Sequence, residues 1–392
     1  MKNFRLIDLL WLELKSLVTN PVINLTMFGG VVFYSFLYPL PYAQQVVQEL
    51  PIAVVNQDNS QVSYKLERML DATSQVKVIH RVSNIKEAEQ LVLAQEAGGF
   101  VVIPQDFYKD LLLGKSPTLS YAGDASYFLV YGGIVEGLAT ASGTLAAEVK
   151  ISRLVLDGTP LGSAKEQYTA IKANMKPTFN PRMGYVDYVV PAVFVLILQQ
   201  TLVMAAGLMN ATQKSLPQST KYYWLKLSPL QNMTLRCSVL GALYYLLALY
   251  YFGFSFSFYG IATLANHVEV IALLLPFLLA STCLGITLGN WLPRRELVTV
   301  VVLLSSMPLI FTAGFIWPTE MIPQPINQLA ALFPSTPAIK GFLAINQMSA
   351  EWGQISTHYY QLWLQTLGWA IVAWVSYRFV QPHKTGKQQV ID

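Results

Sequence analysis

Charged residues are scarce: Asp, Glu, Lys and Arg make up 12% of the 392 residues, about half the ~25% of an ordinary soluble domain. Long stretches of the chain must therefore carry no charge at all. Cysteine is scarcer still. Cys237 and Cys283 both lie inside apolar runs, which excludes a disulfide scaffold and leaves no Cys-x-x-Cys or Cys/His cluster for a metal. His80, His267, His358 and His383 share no helical pair spacing, so neither a zinc site nor a nucleophile triad is expected. Gly114-Lys115-Ser116 resembles the end of a phosphate-binding loop, but position 109 is Lys where that motif needs Gly; a polar turn is expected there. Glu87/Glu89 and Asp106/Asp110 fall on polar helix faces, where charge is simply solvated. A net charge of +4 is small for this length and does not suggest nucleic acid. No catalytic residue, metal or cofactor is expected on this chain.

What the chain has in abundance is apolar length. It is 53% hydrophobic, with a mean hydropathy of +0.41. A bilayer core of about 30 Å needs roughly 20 apolar helical residues. Six stretches qualify: Val22–Leu40, Tyr188–Met209, Cys237–Tyr259, Val268–Leu292, Leu297–Trp317 and Tyr359–Val380. Aromatics such as Tyr38, Tyr188, Trp291 and Trp317 sit at their ends, as interfacial belts do. The first stretch is long for a cleaved signal, and Pro39-Leu40-Pro41-Tyr42-Ala43-Gln44 is no cleavage site; an uncleaved anchor is expected. Before it, Leu6, Leu9, Leu10, Leu14 and Leu17 against Asp8, Glu13 and Lys15 predict an amphipathic helix lying in the membrane interface.

Six spans put both termini on one side, with residues 210–236 and 293–296. That side holds 12 basic residues against 4 acidic, while the rest of the chain holds 14 basic and 18 acidic. Short Lys- and Arg-rich loops remain cytoplasmic, so both termini are expected inside and the segment between the first two spans outside. That segment, residues 42–187, alternates strand and helix patterns. Strands are expected at 51–55, 76–80, 99–103 and 118–122, separated by helices, hence an α/β unit. A long helix follows, with Tyr131, Val135, Leu138, Ser142, Leu145, Val149, Ser152 and Leu156 on one face, then a second helix over 161–175.

Within the spans no Asp, Glu, Lys or Arg lies near the middle. Ion-coupled carriers hold their coupling ion on such groups, so secondary transport is not expected. The mid-span polar residues are Gln199, Gln200 and Thr201, Ser281 and Thr282, Ser305 and Ser306. Interhelical hydrogen bonding or the lining of a path would account for them. Residues 318–358 are Pro-rich and apolar, with Glu320, Lys340 and Glu351 their charged residues; short helices dipping into the outer leaflet fit better than a free loop.

Several motifs, in this order, resemble the type-2 permease subunits of ABC exporters. Glu13-Leu-Lys15 with Thr19-Asn20-Pro21 resembles the connecting helix and entry to the first span. Ser305-Ser306-Met307-Pro308-Leu309 through Gly314-Phe315-Ile316-Trp317-Pro318 resembles the Pro-containing fifth span and its exit. Met321-Ile322-Pro323, Phe333-Pro334 and Thr336-Pro337 match re-entrant outer helices, and the stretches at 50–60, 98–107 and 124–127 look like the subgroup with a large periplasmic insert.

The resemblance implies an α-helical integral membrane protein of the bacterial inner membrane with six transmembrane helices, re-entrant outer helices and an inserted extracytoplasmic α/β domain. The expected regions are 1–41, 42–187 and 188–392, the last with a cytoplasmic coupling loop at 210–236 and a re-entrant segment at 318–358. It further implies a cytoplasmic ABC ATPase carrying ATP-Mg, a second permease chain, a periplasmic adaptor and membrane lipid as partners. The cargo would be hydrophobic or amphiphilic and move outward. Lys214, Lys221, Lys226 and Arg236 would form the ATPase-coupling loop; Gln199, Gln200, Met204, Ser305, Met307, Phe311 and Phe315 would line the path or the seam between permeases. The loop departs from the family pattern, since Asn210–Lys221 contains no acidic residue. A rival expectation is a membrane receptor or assembly scaffold whose outward domain is a binding module.

Overall fold

The computed structural model describes residues 5–42, 48–168, 178–180, 184–216 and 222–380. The chain divides into two compact units, Met1–Gln45 with Pro177–Asp392, and Val46–Lys176.

The first unit opens with α1 (Leu6–Thr19). Asn20 ends it and starts the next helix: its Oδ1 accepts the backbone N–H groups of Val22 at 3.1 Å and Ile23 at 3.3 Å. Pro21 takes the first helical position, where a missing N–H costs nothing. From there α2 (Pro21–Tyr42) runs on through a π-helical turn at Leu25–Gly29.

The second unit is a mixed sheet with helices on both faces. Its elements are β1 (Leu50–Asn56), α3 (Gln61–Asp71), β2 (Val76–Val82), α4 (Ile85–Leu93), β3 (Gly99–Ile103), α5 (Phe107–Leu112), β4 (Ser120–Gly123), α6 (Phe128–Leu156) and α7 (Leu161–Tyr168). The strand order is β2-β1-β3-β4; β1 is parallel to both neighbours and β3–β4 is antiparallel. Strand side chains alternate between faces. Ile52, Val54, Val101 and Ile103 accordingly join Leu66, Leu70 and Phe107 in one core, while Ala53, Val55, Phe100 and Val102 pack with Ala88 of α4 in another. Ser60 caps α3 by a reciprocal pair, accepting from Ser63 N at 3.1 Å and donating its own N–H to Ser63 Oγ at 2.9 Å.

Helix α6 exists as expected, and the middle of its expected face is packed: Leu145 is buried, and Leu138 and Val149 lie against the same core. Towards the ends the face drifts, with Ile134 buried while Val135 is 38% and Leu156 85% exposed. A strict seven-residue repeat drifts by about 20° per heptad around a straight helix, so a stripe of this length cannot remain on one packed surface. The second helix of this hairpin is described to Tyr168; its remainder to 175 lies outside the described residues.

The first unit resumes with α8 (Tyr185–Ser215), α9 (Pro229–Tyr259), α10 (His267–Trp291), α11 (Glu296–Thr312), α12 (Gln324–Ala330), α13 (Ser335–Gln347) and α14 (Trp352–Val380). Tyr42 and Tyr185 stack with ring centroids 5.4 Å apart, so the chain leaves and re-enters this unit at neighbouring points. Helices α2, α8, α9 and α10 are long and apolar enough to cross a membrane, and α11 is apolar but shorter. Helix α8 is apolar on all sides and correspondingly central: from Val190 to Ala211 every residue but Gln200 is buried.

Helix α10 approaches α8 through Gly285-Ile-Thr-Leu-Gly289, the small-xxx-small pattern of close membrane helices. A Cβ on Gly289 would stand 2.3 Å from the carbonyl oxygen of Gly207, and one on Gly285 2.6 Å from that of Val203. No side chain fits at either position. Farther along, the turn between α12 and α13 reaches the middle of two long helices: Ser335 N–H donates to Gln199 Oε1, Gln365 Nε2 to Ala331 O at 2.6 Å, and Trp369 Nε1 to Leu332 O at 3.1 Å.

Helix boundaries between α8 and α9 differ from the expected 210–236 loop. Helix α8 continues to Ser215, and α9 begins at Pro229 because Ser228 caps it. Ser228 Oγ accepts Gln231 N–H at 3.2 Å, Gln231 Oε1 accepts Ser228 N–H at 2.9 Å, and Pro229 occupies the first helical position. The true connection is residues 216–228, with a short 3-10 helix at Tyr223–Lys226.

Candidate functional site

A charge network occupies one end of the first unit, where its ingredients come from five helices and the 216–228 connection. At its centre Arg236, two turns into α9, donates from Nε to Glu13 Oε1 of α1 at 2.7 Å. Both side chains are 1% exposed. The rest of the guanidinium is also used: Nη2 donates to Gln213 Oε1 at 2.9 Å and Nη1 to Asn210 Oδ1. Tyr223 of the connection donates its hydroxyl to the second Glu13 oxygen and lies 3.3 Å from the Ser16 hydroxyl. Burial, and then the Glu13 carboxylate, push the Tyr223 phenol well above its ordinary pKa, so it remains a proton donor. The chain of contacts continues from Asn210 Nδ2 to Asn290 Oδ1 at 2.9 Å and from Asn290 Nδ2 to Ser376 Oγ at 2.8 Å. Tyr377 OH closes it on Asn210 Oδ1 at 3.4 Å.

An isolated buried charge would cost several kcal/mol; here the carboxylate and guanidinium meet each other and every remaining guanidinium nitrogen has an acceptor. Removing either partner would strand the other. The arrangement therefore holds α1, α8, α9 and the connection as one block, with Asn290 of α10 and Tyr377 of α14 attached to it.

Arg236 is thus corrected from the expected coupling surface: the cap at Ser228 winds it into a helix, and Glu13 buries it. Of the other three residues assigned there, Lys214 is exposed and donates to the end of α10, to Asn290 O at 2.9 Å and Leu292 O at 3.3 Å, as a cation does at a helix C-terminus. Lys226 is exposed at the end of the 3-10 helix. Lys221 lies outside the described residues. Glu13, Asn210, Gln213, Tyr223 and Asn290 were missed as a set, although Glu13 opens one of the quoted motifs.

The second group of expected residues is split by the fold. Gln199 is buried against α13, and Gln200 is partly exposed. Met204 packs in a small cluster with Val203, Leu284 and Val302. Ser305 donates back to Val302 O at 2.8 Å, satisfied within its own helix. Met307 and Phe311 are 65% and 55% exposed, on a face of α11 shared with Val300, Leu303 and Leu304, whereas Phe315 is buried. Among the described residues no group of three or more His, Cys, Asp and Glu is placed to hold a metal ion. The Cys237 and Cys283 sulfurs are 3.9 Å apart as free thiols.

A family model described as ABC-2 family transporter protein matches residues 22–375, from the first turn of α2 to the last turns of α14. The chain belongs to the ABC-2 transporter family. None of the curated proteins matches it. Among solved structures it is similar to the "Crystal structure of a domain of a putative ABC type-2 transporter from Thermotoga maritima MSB8", at 22% identity over 28% of this chain and 81% of that one, with a TM-score of 0.23. As an ABC-2 permease the protein is a multi-pass membrane protein with a role in transport.

Proposed function

We propose that this ABC-2 permease crosses the membrane six times, with both termini and the 216–228 connection in the cytoplasm and residues 42–187 outside. The observation that carries this reading is the charge network. It gathers α1, the last turns of α8, α10 and α14 and the first turns of α9 at one end, so the near-terminal helices share a side with the connection. That is also the side with the excess of Lys and Arg. Helix α14, 29 residues long, would be about 43 Å in length, ample for a crossing. The turn between α12 and α13, bonded to mid-helix groups of α8 and α14, fits a re-entrant hairpin entering from the opposite side.

In this reading a separate cytoplasmic ATPase binds the connection and supplies ATP chemistry that the permease lacks. A push on Tyr223 reaches Glu13 and Arg236 directly. Because separating the buried pair would cost about 3–5 kcal/mol, the connection, α1 and α9 move together. Motion is then handed to the exposed apolar face of α11, where Met307 and Phe311 would meet a second permease chain. Apolar, charge-free walls suit an amphiphilic cargo carried outward, and residues 42–187 are where a periplasmic adaptor would dock.

Reversal of both lysines, Lys221→Glu and Lys226→Glu, tests the coupling surface. The doubly reversed chain is expected to insert normally and to lose co-purifying ATPase most visibly at moderate salt, since rim charges tune association. Undiminished ATPase recovery and transport would reject the assignment.

A further inference from the structure

Most polar side chains inside the first unit are spoken for. Asn346 donates to Ala262 O, Gln365 to Ala331 O and Thr366 to Pro276 O. Among the described residues the exceptions include Tyr244 OH, Ser335 Oγ, Gln347 Nε2 and His358 Nδ1, and a further set of polar groups stands together in one place. Between α12, α13 and α14 lies a cavity of about 360 Å³ lined by Gln324, Asn327, Gln328, Thr336, Lys340 and Gln361. Among the described residues, none of its four carboxamides makes a side-chain hydrogen bond, and the Lys340 ammonium has no ion-pair partner within 4 Å. Thr336 alone is engaged, donating to Ala330 O at 2.7 Å.

Lys340 is the one charged group of the lining. Its stem runs past Gly314, where a Cβ would stand 3.3 Å from Lys340 Cε, and Gly314 holds a left-handed φ of +89° that favours glycine. The ammonium is thus half-buried in a membrane protein; the Glu320 carboxylate lies near enough to attract it but forms no ion pair with it within 4 Å, so its donors remain open to a further anion. Carboxamides offer N–H donors for anionic oxygens and carbonyls for hydroxyl groups. On the adjoining face of α12, Ile326 and Leu329 are 46% and 63% exposed, and Leu332 beyond it is 56% exposed. Polar, cationic floor and apolar rim together have the two-sided character of an amphiphile.

We infer that this cavity is a binding site for the anionic phosphate head group of an amphiphile, with Lys340 pairing the phosphate and the carboxamides contacting its oxygens and neighbouring hydroxyls. The site needs the membrane location already established by the family; it does not depend on the ATPase partnership, so the two readings fail separately.

The test uses the full chain in detergent, titrated calorimetrically with dihexanoylphosphatidylglycerol, with dihexanoylphosphatidylcholine and with inorganic phosphate. Saturable binding of the glycerol lipid is expected, with the choline lipid and phosphate each weaker. Loss of a charge-assisted contact is worth roughly tenfold or more in affinity. Lys340→Gln should therefore weaken glycerol-lipid binding by about that factor, Lys340→Arg should largely restore it, and Asn327→Leu should weaken it at an unchanged melting temperature. Equal affinity for inorganic phosphate would make this a free-phosphate site and overturn the lipid assignment. Non-saturable uptake, or binding that Lys340→Gln leaves unchanged, would overturn the site altogether.

Discussion

The decisive residues are Glu13 and Arg236, each 1% exposed and each dependent on the other. Arg236→Ala would leave a carboxylate with Tyr223 alone, and Glu13→Ala would leave a guanidinium with neutral acceptors. Either single change should destabilise the chain by about 3–5 kcal/mol, while the double replacement Glu13→Leu with Arg236→Met should cost much less, because no unpaired charge remains. Thermal unfolding of the solubilised protein reads this directly; single variants that melt with the parent would show that the pair is not buried as described. Little of this pair was legible in the sequence. Glu13 reads as the polar face of an amphipathic helix and Arg236 as a loop cation flanking a span, and their contact joins positions 223 residues apart. A local signal did exist for half of it: Ser228-Pro229-Leu230-Gln231 is a capping box, and a helix begun there carries Arg236 inside.

At the level of elements, strands and caps were more legible than packing. Pro51–Val55 reads as a buried run closed by turn residues and Gly99–Ile103 as a strand, and β1 and β3 lie there as the two inner strands. The expected last strand at 118–122 appears as β4 at Ser120–Gly123, a shift at an edge where pairing on one side defines the element loosely. The α6 face holds in the middle, at Leu138, Leu145 and Val149, and departs at its ends because a seven-residue repeat drifts around a straight helix. The Gly285/Gly289 contact was readable as small-xxx-small, yet only the fold tells that α8 is the partner. The second unit has its own sheet and two cores, one on each face, so a fragment of residues 46–176 should fold without the membrane. Circular dichroism and size exclusion check this; an aggregated or unfolded fragment would mean that the sheet needs the rest of the chain.

For the whole molecule, the account stands on sidedness: a permease driven from the cytoplasm must show its charge network and 216–228 connection to the cytoplasm and residues 42–187 to the outside. Hydropathy made four of the apolar stretches legible as helices long enough to cross a membrane, because it is a sum over many residues and survives local errors; the sides rest on the asymmetry of Lys and Arg, a sum of the same kind, and labelling tests them. Single cysteines at Gln57, Lys115 and Lys226, all exposed positions, can be introduced after Cys237 and Cys283 are replaced by alanine. An impermeant thiol reagent applied to intact spheroplasts should label positions 57 and 115 and leave 226 untouched until the cells are opened. Labelling at 226 from outside, or protection of 57 and 115, would contradict the six-crossing permease.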